Sequence, residues 1–306
     1  MAPLSGRKVL VTGVTGAVAR PLALSLAAEN EVWGLSRFND AQARADLEEA
    51  GVRCVALDMM DPDFSEVARD FDHILHFAVA RGLDRWDFAG HLRGTAEFGG
   101  LLMSHCRDTE SFLHCSSTSV YHQCDHLLTE DEPLADNHRN RNPTYSITKI
   151  AAEAVMQSAA RTFEVPTVIA RLNVPYGDEG GMPSRYMDTV LSGQPVQVHP
   201  SGRGLFTPIH DEDILASIGP LLGAAAVPAY TVNWGGSQAS SVEEWSEHFG
   251  ALAGLAVRFE LSEFAIQRVA CDTTRLQELM GPTKVDWRDG MRRMLAARRP
   301  DLQLVE

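Results

Sequence analysis

The sequence predicts an α/β fold, a doubly wound parallel sheet with a smaller C-terminal lobe. Three observations predict it. Through the first 172 residues, short β-branched or apolar runs alternate with longer stretches of helical period. A glycine-bearing turn joins the first run to the first helical stretch, and after Leu172 glycines and prolines break the alternation. Strands separated by helical crossovers pair in parallel, with helices on both faces.

The runs Lys8–Thr12, Glu31–Leu35, Arg53–Leu57, His73–Phe77, Ser111–Cys115 and Pro166–Leu172 are expected as strands. Residues 18–29, 40–50, 63–70, 86–107 and 144–163 are expected as the helices between them. A strand-like Tyr230–Asn233 follows, then a helix-rich tail in which Ser241-Val242-Glu243-Glu244 reads as a capping box. These elements divide the chain into a dinucleotide-binding domain at 1–175, which also takes later strands near 205–235, and an interleaved lobe at 176–306.

Composition narrows the function classes. The formal charge of −14 over 306 residues argues against nucleic acid or an anionic membrane surface as the main partner. No apolar stretch has the length to cross a bilayer, and the amino terminus lacks a signal-peptide core. Five cysteines without regular spacing suit a reducing compartment, so a cytoplasmic protein acting on a small molecule is expected.

The turn Thr12-Gly13-Val14-Thr15-Gly16-Ala17-Val18-Ala19 is where a backbone approaches a pyrophosphate and a helix amino terminus offers it N–H donors. Gly13, Thr15, Gly16, Ala17 and Val18 are therefore candidate cofactor residues. An ordinary tight βα turn is the alternative. At the end of the second strand, Ser36 and Arg37 stand where an acid would bind the ribose 2′-hydroxyl of NAD. A hydroxyl and a guanidinium there suit the 2′-phosphate, so NADP(H) is favoured over NAD(H). Asp58, with Met59 after it, closes the third strand where an acid can accept from an adenine amino group. Phe77, Ala78 and Val79 close the fourth beneath the cofactor, following His76, which is read equally as a core histidine.

Tyr145 and Lys149, four residues apart in a helical pattern, share one face. An ammonium beside a phenol favours the phenolate, so such a tyrosine can give or take a proton at a carbonyl or alcohol. Cys115-Ser116-Ser117-Thr118-Ser119-Val120-Tyr121 closes the fifth strand, and ligands of open α/β sheets bind at the carboxyl ends of strands.

Together the glycine turn, Ser116-Ser117-x-x-Val120-Tyr121 and Tyr145-x-x-x-Lys149 resemble the extended short-chain dehydrogenase/reductase family, also called the NAD-dependent epimerase/dehydratase family. Thr129–Leu134, Arg171-Leu172-Asn173 with Tyr176-Gly177, and Ile209-His210-Asp211-Glu212-Asp213 match its later landmarks. The resemblance implies a Rossmann sheet and a homodimer. It implies Ser117 as the hydroxyl that binds the substrate oxygen and Tyr145 as general acid/base. Lys149 would support Tyr145 and hold the nicotinamide ribose. Thr118, Asn173 and Phe206 are expected beside the substrate.

Three departures from the family pattern shape the functional reading. Thr118 and Ser119 stand where sugar 4,6-dehydratases carry an Asp-Glu pair, which argues against that elimination. Phe206 stands where nucleotide-sugar enzymes often have a diphosphate-gripping arginine, with Arg203 as a nearby substitute. His91 replaces a frequent asparagine, which puts any proton-relay role there in doubt. The loop 121–126 carries His122, Cys124 and His126 but no second ligand cluster, so no metal is expected. The leading expectation is an oxidoreductase interconverting a secondary alcohol and a ketone on a small or medium non-nucleotide substrate. The alternative is a nucleotide-sugar epimerase with a tightly bound cofactor, and a third is a silent dinucleotide-sensing regulator.

Overall fold

The computed structural model describes residues 4–136, 142–202 and 204–305. The chain folds into two compact units. The first runs up to Val120 and adds Leu134–Arg171 and Leu215–Val232; the second comprises Tyr121–Pro133, Leu172–Ile214 and Asn233 onward. The chain thus leaves the first unit directly after the fifth strand, a crossing that the sequence pattern did not mark.

The first unit is built on β1 (Lys8–Thr12), β2 (Glu31–Ser36), β3 (Arg53–Ala56), β4 (His73–His76), β5 (Ser111–Ser117) and β6 (Thr167–Leu172). With Tyr230–Trp234 at the edge they form a seven-stranded sheet in the order Tyr230–Trp234, β6, β5, β4, β1, β2, β3. The pairs β3–β2, β2–β1, β1–β4 and β4–β5 are parallel. The order reverses at β1, where an open α/β sheet opens its ligand crevice.

Helices α1 (Ala19–Ala27) and α2 (Ala41–Glu49) follow β1 and β2. The stretch expected at 86–107 is interrupted. Helix α3 (Phe88–Leu92) runs through a π-helical turn, Arg93–Glu97, into α4 (Phe98–His105). Helix α5 (Tyr145–Phe163) supplies Met156, Ala159 and Ala160 to a core shared with Phe98 and Leu102 of α4 and with Leu10, Ile74 and Phe112 of the strands. Gly99 permits this packing, because a Cβ there would lie 2.9 Å from Met156 Cε and 3.1 Å from His76 Nε2.

The helix expected at 63–70 does not form. Phe64, Val67 and Ala68 have helical spacing and pack on the core, but an irregular crossing from β3 to β4 delivers them. Asp63 Oδ1 accepts from Ser65 N at 2.9 Å, and this local bond offers the backbone an alternative to the helix ladder.

In the second unit the capping box at Ser241 is formed, with Ser241 Oγ accepting from Glu244 N and Glu244 Oε2 from Ser241 N. Asn173 ties that unit together: its Nδ2 donates to Val269 O at 2.7 Å and its Oδ1 accepts from Thr207 N at 3.1 Å. Among the described residues no helix is long and apolar enough to cross a membrane, and Cys54, Cys106, Cys115, Cys124 and Cys271 are free thiols.

Two buried imidazoles lie in adjacent strands, His76 on β4 and His114 on β5, with ring centroids 5.2 Å apart. His76 Nδ1 pairs with Thr12 Oγ1 at 2.7 Å; neither nitrogen of His114 has a hydrogen-bond partner among the described residues. Burial, reinforced by the Lys149 charge, pushes His76 down to about 3. Burial, then His76 and Lys149, hold His114 well below its ordinary value. As pH falls below the usual histidine value of about 6.5, the unfolded chain takes up protons that these rings refuse, so stability is lost. Asp211, raised to about 7 by burial and by Glu179 and Asp178, works in the opposite direction over part of that range. The informative measurement is therefore a difference: melting of His114→Leu should fall less steeply between pH 6.5 and 4.5 than that of the parent. Parallel curves would sink the assignment.

Candidate active site

The carboxyl ends of β1, β2 and β4 surround a cleft. Gly13 has φ +68, and a Cβ there would lie 3.0 Å from Ala78 Cα and 3.1 Å from Ala78 N. Both conditions call for glycine: the left-handed backbone and the close approach to the loop after β4. Gly13 N donates to Leu35 O and Gly16 N to Gly13 O, each at 2.8 Å, folding the turn against β2. Helix α1 then begins with no acidic residue in its first turn, which leaves its positive end free of local carboxylates.

Gly13, Thr15, Gly16, Ser36, Arg37, Met59, Phe77, Ala78 and Val79 line this cleft. Of the expected cofactor residues, Ala17, Val18, Asp58 and Lys149 do not line it. Asp58 Oδ1 accepts from Met60 N at 3.0 Å instead, closing its own turn. Thr12, Leu35, Leu57, Arg81 and Phe98 also line the cleft and were missed. Arg81 stands two residues after Val79, the last residue expected at the cleft from that segment. Thr15 Oγ1 lies 2.9 Å from Ser36 Oγ, and Arg37 Nη2 donates to Arg81 O at 3.4 Å, so the segments following β2 and β4 meet there. A close backbone, an open helix terminus and two guanidinium side chains fit a pyrophosphate-containing dinucleotide.

On the neighbouring strand, Ser117 is the last residue of β5 and is partly exposed. Its Oγ accepts from Ser119 N at 3.2 Å, which leaves the hydroxyl proton to be donated. Thr118 and Ser119 are buried in the 3-10 turn Thr118–Val120. Helix α5 packs on β5 and on that turn. Tyr145 opens α5, partly exposed, and Lys149 lies one turn on, only 4% exposed, donating from Nζ to Cys115 O at 2.7 Å. The first unit thus holds the dinucleotide cleft and all three expected catalytic side chains.

Asn173 and Phe206 belong to the second unit. Both are buried there, Asn173 in the hydrogen bonds described above and Phe206 against Trp245 with ring centroids 5.5 Å apart. Arg203 lies outside the described residues, as do residues 137–141 of the loop before Tyr145. His91 Nε2, on α3, meets Asp84 O at 3.2 Å in the segment just before that helix. Cys124 and His126 are joined by Glu132, which sequence spacing did not suggest, with candidate ligand atoms within 4.8 Å of one another. An ion pair accounts for the contact: His126 Nε2 lies 2.9 Å from Glu132 Oε1, and the same carboxylate raises the exposed imidazole above its ordinary value.

Because a Cβ at Gly13 meets backbone rather than a yielding side chain, Gly13→Ala should cost about 1–3 kcal/mol and weaken dinucleotide binding. Denaturant melts and cofactor fluorescence check this; an unchanged midpoint would show that the turn can relax.

The family model for the NAD dependent epimerase/dehydratase family matches residues 9–222. A trifunctional UDP-glucose 4,6-dehydratase/UDP-4-keto-6-deoxy-D-glucose 3,5-epimerase/UDP-4-keto-L-rhamnose-reductase of Arabidopsis thaliana is 24% identical over 246 residues, 75% of this chain but 36% of that protein. This chain therefore spans about a third of that relative's length. A low-salt glycan biosynthesis protein of Haloferax volcanii is 26% identical over 305 residues, covering 92% of this chain and 96% of the relative. The fold is also that of the UDP-glucuronic acid 4-epimerase of Bacillus cereus, solved with UDP-glucuronic acid and NAD. That structure superposes with TM-score 0.81 at 18% identity over 95% of this chain and 99% of the other. The dTDP-glucose 4,6-dehydratase of Streptomyces venezuelae gives 0.79 at 22% identity, over 96% and 97%. With its sheet order, glycine turn and Tyr-x-x-x-Lys helix in agreement with that match, this chain belongs to the NAD-dependent epimerase/dehydratase family, whose members are enzymes that use a dinucleotide.

Proposed function

We propose that this chain oxidises and re-reduces a secondary alcohol carbon of a nucleotide-linked sugar, as an epimerase that keeps its dinucleotide bound. The observation that carries this reading is the set Ser117, Tyr145 and Lys149, with no acid at 118 or 119. A hydroxyl, a phenol and an ammonium serve hydride chemistry, while dehydration needs an acid and a base that Thr118 and Ser119 do not offer. The dinucleotide would supply the hydride acceptor and donor. Ser117 Oγ would donate to the substrate oxygen, and Tyr145 would take the alcohol proton and return it. Lys149, anchored on Cys115 O, would hold its positive charge beneath the site.

Two findings move the nucleotide-sugar reading ahead of the small-ketone one. The relatives' names cite UDP- and dTDP-sugars. Phe206, whose apolar ring argued against a diphosphate, is a core residue 1% exposed, so its apolar character has an internal explanation. A second reading, a reductase that consumes NADPH, is favoured by Arg37 and Arg81 on one cleft beside Ser36, which suit a 2′-phosphate.

Purified protein incubated with UDP-glucuronic acid or UDP-glucose, without added dinucleotide, should form the epimer detectable by NMR. Tyr145→Phe should slow this by about 10²–10⁴-fold while dinucleotide affinity stays near that of the parent. Near-normal turnover would remove Tyr145 from its role, and stoichiometric NADPH loss with ketones would instead support the reductase. Replacing both Arg37 and Arg81 with alanine should weaken NADP(H) by about tenfold or more relative to NAD(H). An equal loss for both cofactors would defeat the 2′-phosphate reading.

A further inference from the structure

Tyr145, Lys149 and Glu153 recur every fourth residue along α5 and so share one face. The second and third of them grip consecutive residues of β5. Lys149 Nζ donates to Cys115 O at 2.7 Å, and Ser116 Oγ donates to Glu153 Oε1 at 2.5 Å. The next residue is Ser117. Glu153 is held in turn by Arg171 of β6, whose Nε donates to Oε1 at 2.9 Å and Nη2 to Oε2 at 2.8 Å. Ser116, Glu153 and Arg171 are 2%, 6% and 6% exposed.

A buried carboxylate–guanidinium pair is costly to desolvate and is often replaceable by apolar residues without loss of stability. Stability alone therefore gives little reason for it, whereas its geometry gives a specific one. Successive side chains of a strand point to opposite faces, so fixing Ser116 fixes the rotation of β5 and the direction of Ser117. The paired fork on Arg171 orients the carboxylate that receives the Ser116 hydroxyl.

We propose that Ser116 and Glu153, held by Arg171, are positioning residues that index Ser117 against Tyr145 and Lys149. Glu153 is eight residues from Tyr145, about 12 Å along the helix, and acts only through the strand. The inference rests on the reading that Ser117, Tyr145 and Lys149 perform the chemistry.

The test compares Ser116→Ala, Glu153→Gln and the double variant Glu153→Leu with Arg171→Met against the full-length parent. Hydrogen exchange of the peptide spanning 116–121, melting temperature, NADH and NADPH affinity and turnover of UDP-glucuronic acid are measured on each. Ser116→Ala removes one hydroxyl and leaves the ion pair, so its melting temperature should change little. Its 116–121 exchange should rise about tenfold, and kcat should fall by about as much with KM nearly unchanged. The double variant should recover thermal stability relative to Glu153→Gln while exchange at 116–121 stays fast and kcat stays low. Parent-like exchange in Ser116→Ala, or recovery of slow exchange together with stability in the double variant, would overturn the proposal and leave a merely structural ion pair. Near-normal turnover in Tyr145→Phe would refute the catalytic reading separately, because the exchange readout does not depend on turnover.

Discussion

The dinucleotide cleft depends on one backbone contact, the approach of Gly13 to Ala78 at the carboxyl end of β1. With β1 between β2 and β4, this is the point where the sheet order reverses, and the approach leaves no room for a Cβ. The same turn hands its hydrogen bonds to Leu35 and feeds α1 directly, so its shape sets where β2 ends and where the helix presents its N–H groups. Ser36 ends β2, and Arg37 and Arg81 lie in the segments that follow β2 and β4, so all three line the cleft.

A second constraint is charge. Lys149 is almost wholly buried, and three titratable groups that feel its charge favour their neutral forms. His76 and His114 are held neutral by burial and by the ammonium itself, and the Cys115 thiol is pushed up to about 11 by burial against the opposing pull of Lys149. The buried carboxylate one turn along α5, Glu153, is committed to Arg171 and Ser116 rather than to Lys149. Lys149 Nζ donates to the Cys115 carbonyl near the end of β5.

Family membership and residue chemistry speak to different parts of the function. The match over residues 9–222 and the whole-chain likeness to nucleotide-sugar enzymes describe scaffold and cofactor class. The side chains at 117–119 and 145–149 are where the proposed choice of hydride exchange over water elimination on that scaffold rests. Phe206, a departure from the family pattern, is buried against Trp245.

Local pattern was enough for β1 to β6, α1, α2, α5, the capping box at Ser241 and the Tyr145/Lys149 spacing, because each is set by residues adjacent in the chain. The helix expected at 63–70 failed for the converse reason: Phe64, Val67 and Ala68 have helical spacing, but their contact with the core is made through turns. Contacts between distant segments were beyond sequence reasoning. The meeting of Arg37 with the Arg81 loop, the join of Glu132 to His126, the clasp of Ser116 by Glu153 and Arg171, and the burial of Asn173 and Phe206 all depend on strand order and packing. Residue order alone settles which chemical groups this protein possesses and which local elements carry them. The packing of the whole chain settles which of those groups face the cleft and which are consumed inside, since burial and partnership arise only when distant segments meet.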